Sequence, residues 1–105
     1  MPAISILLPV RNAAATLGET LESLKAQTFK DFELVLVDDH STDASAAVAQ
    51  RIFAGDPRLE LIVAKEQGLV PALRAGTDVC RAPLIARMDG DDLALPRRLE
   101  YQHQL

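Results

Sequence analysis

Ala3 to Val10 reads AISILLPV, an almost wholly apolar run. Successive side chains of a strand point to opposite faces, so such a run suits a strand buried on both. A helix follows it. Thr16 and Glu19 stand at capping-box spacing, and Leu17, Leu21 and Leu24 share one face. Phe32 to Val37 (FELVLV) is a second strand. Ser41 is placed to cap a second helix, with Ala44, Ala47, Val48 and Ile52 as its apolar stripe and Gly55-Asp56-Pro57 as its end. Leu59 to Ala64 (LELIVA) is a third strand. Gly68 opens a third helix that tolerates Pro71 in its first turn and turns Leu69, Ala72, Leu73 and Gly76 inward. Leu84 to Met88 (LIARM) is a fourth strand, and Pro96 starts a last helix running to the chain end.

Strands alternating with helices predict right-handed crossovers and a mainly parallel sheet covered on both faces. The expected class is α/β, a three-layer, Rossmann-like sandwich. Ligands in such sheets bind beyond the carboxyl ends of the strands. The loops after Val10, Val37, Ala64 and Met88 therefore rank first.

Composition narrows the field. A chain of 105 residues predicts one domain and can bury roughly two-thirds of its unfolded surface. Its aromatic residues are three Phe and one Tyr, with no Trp, so the core must be aliphatic. Net charge is −4 and no basic tract is present, which argues against a nucleic-acid partner. The single Cys80 cannot form an internal disulfide, which fits a reducing, cytoplasmic setting. The N-terminus lacks the features of a signal peptide. The apolar run from Ile4 to Val10 is far shorter than the ~20 residues of a membrane helix. Membrane association is expected only through parts outside this chain.

Four constellations could carry chemistry. Asp89-Gly90-Asp91-Asp92 puts three carboxylates within four residues at a strand's end. They repel one another, a divalent cation relieves that repulsion, and carboxylate oxygen suits Mg²⁺ or Mn²⁺. An acidic solvated turn is the alternative. Asp38-Asp39 with Ser41, Thr42 and Asp43 ends another buried strand. Asp39 could accept hydrogen bonds from a base or a sugar, Asp38 is expected to hold loop amides, and Ser41 or Asp43 to cap the helix. His40 is expected as an exposed turn residue. In Pro9-Val10-Arg11-Asn12, Pro9 shapes the loop, Asn12 starts the turn, and Arg11 faces a base, a phosphate or solvent. Lys65 to Gly68 precedes a helix and could accept an anion.

Together the stretches ISILLPVRN, LGETLESLKAQTFKDFELVLVDDHSTD, QGLVPALRAG and LIARMDGDD followed by LPRRLEYQ resemble the family 2 glycosyltransferases. The likeness runs in order from Ile4 to Gln102. It implies a nucleotide-diphospho-sugar transferase fold, with residues 1–105 as its sugar-nucleotide-binding half. It also implies that Pro9, Arg11 and Asp39 hold the nucleotide base, that Asp89 contacts ribose, and that Asp91 and Asp92 bind Mn²⁺ or Mg²⁺ at the pyrophosphate. The implied activity is inverting transfer from a nucleotide-diphospho-sugar, UDP-linked by preference, to an acceptor hydroxyl. Departures from the family pattern are Glu66, Leu73 and Arg74 around the third helix and His40 where a small residue is common. The chain ends thirteen residues after Asp92, so the acceptor site and catalytic base are expected outside it, and Glu100 is a poor substitute for the base. The fold is thus expected to stop after the fourth strand and the helix that follows.

Two other readings compete. A non-catalytic module could self-associate as a homodimer through an exposed, truncated sheet edge. A phosphatase of the haloacid-dehalogenase type also places Asp-x-Asp after an apolar strand, but after its first strand and with a different continuation. No G-x-G-x-x-G or P-loop is present.

Overall fold

A parallel sheet has its most apolar strand in the middle, and here that strand is the first. The computed structural model describes residues 2–91 and 97–100. Strand β1 (Ile4–Val10) lies between β2 (Phe32–Asp38) and β4 (Leu84–Arg87), and β3 (Leu59–Val63) pairs with the far side of β2. All pairs are parallel. The sheet order is β3-β2-β1-β4, and every residue of β1 is buried.

Alternation along the strands separates two cores. Ile4, Ile6, Leu8 and Val10 join Leu34, Leu36, Ala86 and Met88 under helices α1 (Ala14–Lys25) and α2 (Ser45–Ile52). Leu17, Leu21 and Leu24 of α1 are fully buried there. Each such leucine contributes about 1.5–3 kcal/mol by leaving water. On the other face Leu7, Val35 and Val37 pack against Ala72 of α3 (Leu69–Val79). Gly76 lets that helix sit close, because a Cβ there would stand 2.2 Å from Leu7 Cδ1 and 2.8 Å from Val37 Cγ2. The architecture is the expected three layers, with one helix, among the described residues, on the second face. On the edge strand β4, Leu84 and Ile85 remain exposed.

Local details differ from the sequence reading. Helix α1 starts at Ala14 behind Ala13 and has no side-chain cap, so Thr16 and Glu19 form no capping box. Thr16 lies inside the first turn and points its hydroxyl at another segment. Helix α2 starts at Ser45, four residues past Ser41. Its buried positions are Ser45 and Ala49, with Val48 and Ile52 partly buried and Ala44 and Ala47 exposed. In α3, Leu69 lies at the rim and is 51% exposed rather than inward. Residues 98–100 are helical, while the expected helix start at Pro96 lies outside the described residues.

A polar latch closes the amino-terminal end of the sheet on the α3 side. The Ser5 hydroxyl donates to the buried Glu33 carboxylate. The Arg81 amide donates to it at 2.7 Å and the Arg81 guanidinium at 3.0 Å. The Ala82 amide donates to Ser5 Oγ at 3.0 Å. Burial pushes the Glu33 carboxyl up, but these donors outweigh it and hold it below its ordinary value of 4.5. A depressed carboxyl contributes stability that is fully present above its unfolded value and lost as pH falls through its folded one. Glu33→Ala should cost about 1–3 kcal/mol by stranding its donors. In urea denaturation across acidic pH, Glu33→Gln should flatten the loss of stability that the parent chain shows.

Candidate functional site

Three strands end at one rim, and their backbone groups pass from sheet partners to loop side chains. The Val10 carbonyl accepts the Asp39 amide at 2.8 Å. Asn12 then takes a left-handed backbone, φ +52°, a conformation Asn tolerates better than most residues. The Asn12 amide donates to Ser41 Oγ at 2.9 Å, and Asn12 Oδ1 accepts from the Thr42 amide at 2.7 Å. The Ala13 amide donates to Ser45 Oγ at 3.0 Å and the Ala14 amide to Asp43 Oδ2 at 3.1 Å. The loop after β2 therefore satisfies the amides that open α1.

This revises the capping roles. Ser41 serves the β1–α1 loop instead of α2. Asp43 serves both helices, since its other oxygen accepts the Ser45 amide at 3.0 Å. The Ser45 hydroxyl and these amides hold the Asp43 carboxyl below the usual range. Asp38 behaves as expected and accepts the Ser41 amide at 3.1 Å. His40 also has a left-handed backbone, φ +55°. It is partly buried rather than exposed, with Nε2 buried and lacking a hydrogen-bond partner among the described residues.

Asp39 is buried, and both carboxylate oxygens face the Gly68 amide, at 3.0 and 3.2 Å. It thus ties the segment before α3 to the end of β2. Lys65, Glu66 and Gln67 of that segment are exposed. The Gly68 amide is already engaged by a carboxylate, which removes it from the anion site expected there.

Beyond β4 the acidic turn rests on α1. Gly90 is buried, and a Cβ on it would stand 3.0 Å from Ala13 Cβ and 3.2 Å from Val10 Cγ1. The Gly90 carbonyl accepts the hydroxyls of Thr16 at 2.9 Å and Thr20 at 3.1 Å. Asp89 and Asp91, on either side, are exposed, and Asp89 has Arg87 at 3.4 Å.

Two clefts flank the end of β1. One, of about 340 Å³, is lined by Pro9, Val10, Arg11, Asn12, Ala13, Thr16, Gly90 and Asp91. The other, of about 300 Å³, is lined by Pro9, Val10, Arg11, Asp39, Gly68, Leu69 and Ala72. Pro9, Val10 and Arg11 belong to both, while Asp91 lines only the first and Asp39 only the second. Asp89 lines neither cleft, and Asp92 lies outside the described residues. Among the described residues no three His, Cys, Asp or Glu side chains are grouped closely enough to hold a metal ion. No helix among them is long and apolar enough to cross a membrane.

Sequence reasoning missed Thr16 and Thr20 at the acidic turn, and Leu69 and Ala72 in a cleft wall. The signal for Thr20 was available. It falls on the buried leucine side of α1, and a buried hydroxyl requires a partner.

Comparison with known proteins bears on the family and the fold. Residues 5–104 match the family described as Glycosyl transferase family 2. The chain belongs to that family. It is 39% identical over 93 residues to a PGL/p-HBAD biosynthesis glycosyltransferase of Mycobacterium tuberculosis, covering 87% of this chain and 36% of that protein. The mannosyltransferase PcManGT from Pyrobaculum calidifontis, solved with GDP-Man and Mn²⁺, superposes with a TM-score of 0.82 at 26% identity, covering 92% of this chain and 29% of the other. TarS 1-349 of S. aureus, solved with UDP-GlcNAc, superposes with a TM-score of 0.88 at 23% identity, covering 99% and 30%. The fold is that of these glycosyltransferases, and the chain spans well under half the length of the relatives it matches.

Asp39→Ala should release the Gly68 amide, speed hydrogen exchange at residues 65–69 and cost about 1–3 kcal/mol. Asp39→Asn keeps an acceptor and should restore most of the protection. Exchange mass spectrometry on the two variants checks this.

Proposed function

We propose that this chain is the donor-binding half of an inverting, metal-dependent glycosyltransferase that uses a nucleoside-diphosphate sugar, UDP-linked by preference. The observation that carries the reading is the pair of clefts sharing Pro9, Val10 and Arg11, with Asp39 lining one and Asp91 the other. The Asp39 cleft has apolar walls in Pro9, Leu69 and Ala72 and suits the flat base. Each Asp39 oxygen keeps a lone pair beyond the one facing Gly68, so it can still accept a base N–H. Asp89 is assigned to the ribose and Arg11 to the border between base and phosphate.

The donor set fits a hard divalent cation. Asp91 is an exposed carboxylate with no side-chain hydrogen bond or ion pair to another described residue, and it borders the second cleft. Few protein ligands suit Mg²⁺ and Mn²⁺ sites that complete their shell with water and substrate phosphate. Asp91 and Asp92 would hold the ion, which supplies neutralisation of charge on the departing diphosphate. An acceptor hydroxyl attacks the anomeric carbon, the bond from that carbon to the phosphate oxygen breaks, and the configuration inverts. A general base takes the acceptor's proton. Glu100 does not suit that task. Arg97 pairs with it at 3.0 Å, the Thr28 hydroxyl donates to it at 2.8 Å, and both hold its carboxyl low. We assign the base and acceptor site to parts of the protein outside this chain.

A second reading, a self-associating module, draws on the β4 edge, where Leu84 is 37% and Ile85 42% exposed. Light scattering separates it, since a monomer at high concentration would remove its basis.

Titration calorimetry with UDP should show binding that depends on Mn²⁺ and disappears with EDTA. Asp91→Asn should weaken the Mn²⁺-dependent component about tenfold or more. Absence of binding at millimolar nucleotide with Mn²⁺ present would overturn the reading.

A further inference from the structure

We infer that Thr16 and Thr20 are positioning residues that set the Asp89–Asp91 turn for metal-dependent diphosphate binding; this rests on the donor-site reading above. Both hydroxyls donate to one oxygen, the Gly90 carbonyl, at 2.9 and 3.1 Å. A carbonyl oxygen has two lone pairs, so this acceptor is saturated by protein. That carbonyl belongs to the peptide linking Gly90 to Asp91. Fixing it fixes the direction in which the chain leaves for Asp91.

The grip is rigid on both sides. Thr20 is fully buried, next to the fully buried Leu17, Leu21 and Leu24 that seat α1 on the sheet. Gly90 lies so close to Ala13 and Val10 that a Cβ there would force its neighbours to give way. Two threonines one helical turn apart lie on the same face. They therefore reach a single oxygen without distorting α1. Thr16 also lines the cleft that Asp91 borders, so the hydroxyl stands beside the proposed ligand and does not replace it. The base cleft contains neither threonine. Loss of the hydroxyls should therefore separate two binding terms that share one rim.

The test uses Thr16→Val, Thr20→Val and the double variant, which keep the shape and remove the hydroxyls, beside Thr16→Ser and Thr20→Ser, which keep them. Free Mn²⁺ is followed by electron paramagnetic resonance during titration with UDP, uridine affinity is measured without metal, and urea denaturation monitors the fold. The double valine variant should lose about tenfold to a hundredfold in Mn²⁺–UDP affinity, the size seen when partners of metal ligands are removed. Uridine affinity should stay unchanged, and the serine variants should remain within about twofold of the parent. Exposed Thr16 carries the test by itself if Thr20→Val fails to fold. A parent chain that needs Mn²⁺ and valine variants that bind Mn²⁺–UDP equally well would overturn the inference alone. So would serine variants as weak as the valine ones. A parent chain that binds UDP without regard to Mn²⁺ would overturn the donor-site reading as well.

Discussion

The end of β1 imposes the constraint from which the rim is built. The strand is buried on both faces and paired on both edges. Beyond Val10 the chain must leave the sheet, and the amides of Asn12, Ala13 and Ala14 lose any strand to pair with. Backbone amides that leave a sheet turn to other acceptors. Ser41, Ser45 and Asp43 supply them from the loop after β2. Two loops that are 29 to 32 residues apart in sequence thus become one structural unit. The left-handed turns at Asn12 and His40 follow from that stitching, because each loop must reverse tightly to meet the other.

The same strand divides the rim into two unlike sides. On the α3 side, Asp39 reaches across to Gly68 and holds the segment before the helix. On the α1 side, Gly90 lies directly on the helix, and threonine hydroxyls fasten its carbonyl. One cleft is walled largely by apolar side chains with a single buried carboxylate. The other is lined by residues of the β1–α1 loop, by Gly90 and by the exposed Asp91. Pro9, Val10 and Arg11 line both.

Much of this was legible in the sequence, and the limits have physical causes. The four strands and three complete helices among the described residues fall where apolar periodicity puts them, because burial on a sheet face leaves a direct imprint on residue type. The starts of α1 and α2 were misplaced for one reason, whereas α3 opens at Gly68 as expected. Ser41 and Thr16 are residue types that cap helices, but their local sequence does not reveal whether a hydroxyl serves its own helix or a neighbouring loop. Tertiary partners decided both cases. The acidic motifs stood out by charge, and the rim position of Asp39 and Asp91 followed from the strand-end rule. That Asp39 would already be engaged by Gly68 could not be read, since that bond depends on how closely α3 approaches β2.

The use of carboxylates around the rim separates supports from candidate ligands. Asp38, Asp39 and Asp43 each accept backbone amides from the chain itself. Their oxygens are engaged in folding the loops. Asp89 and Asp91 lie on the turn after β4. Both are exposed and flank a glycine whose carbonyl is held by two threonines; Asp89 has the Arg87 guanidinium at 3.4 Å, and the Asp91 side chain has no hydrogen bond or ion pair to another described residue. A flexible acidic turn can relax by moving its carboxylates apart, whereas one anchored through Gly90 has less freedom to do so. Repulsion that the backbone cannot relieve favours an external cation over an alternative conformation. The anchoring by Thr16 and Thr20 and the proposed demand for a metal are therefore two aspects of one arrangement.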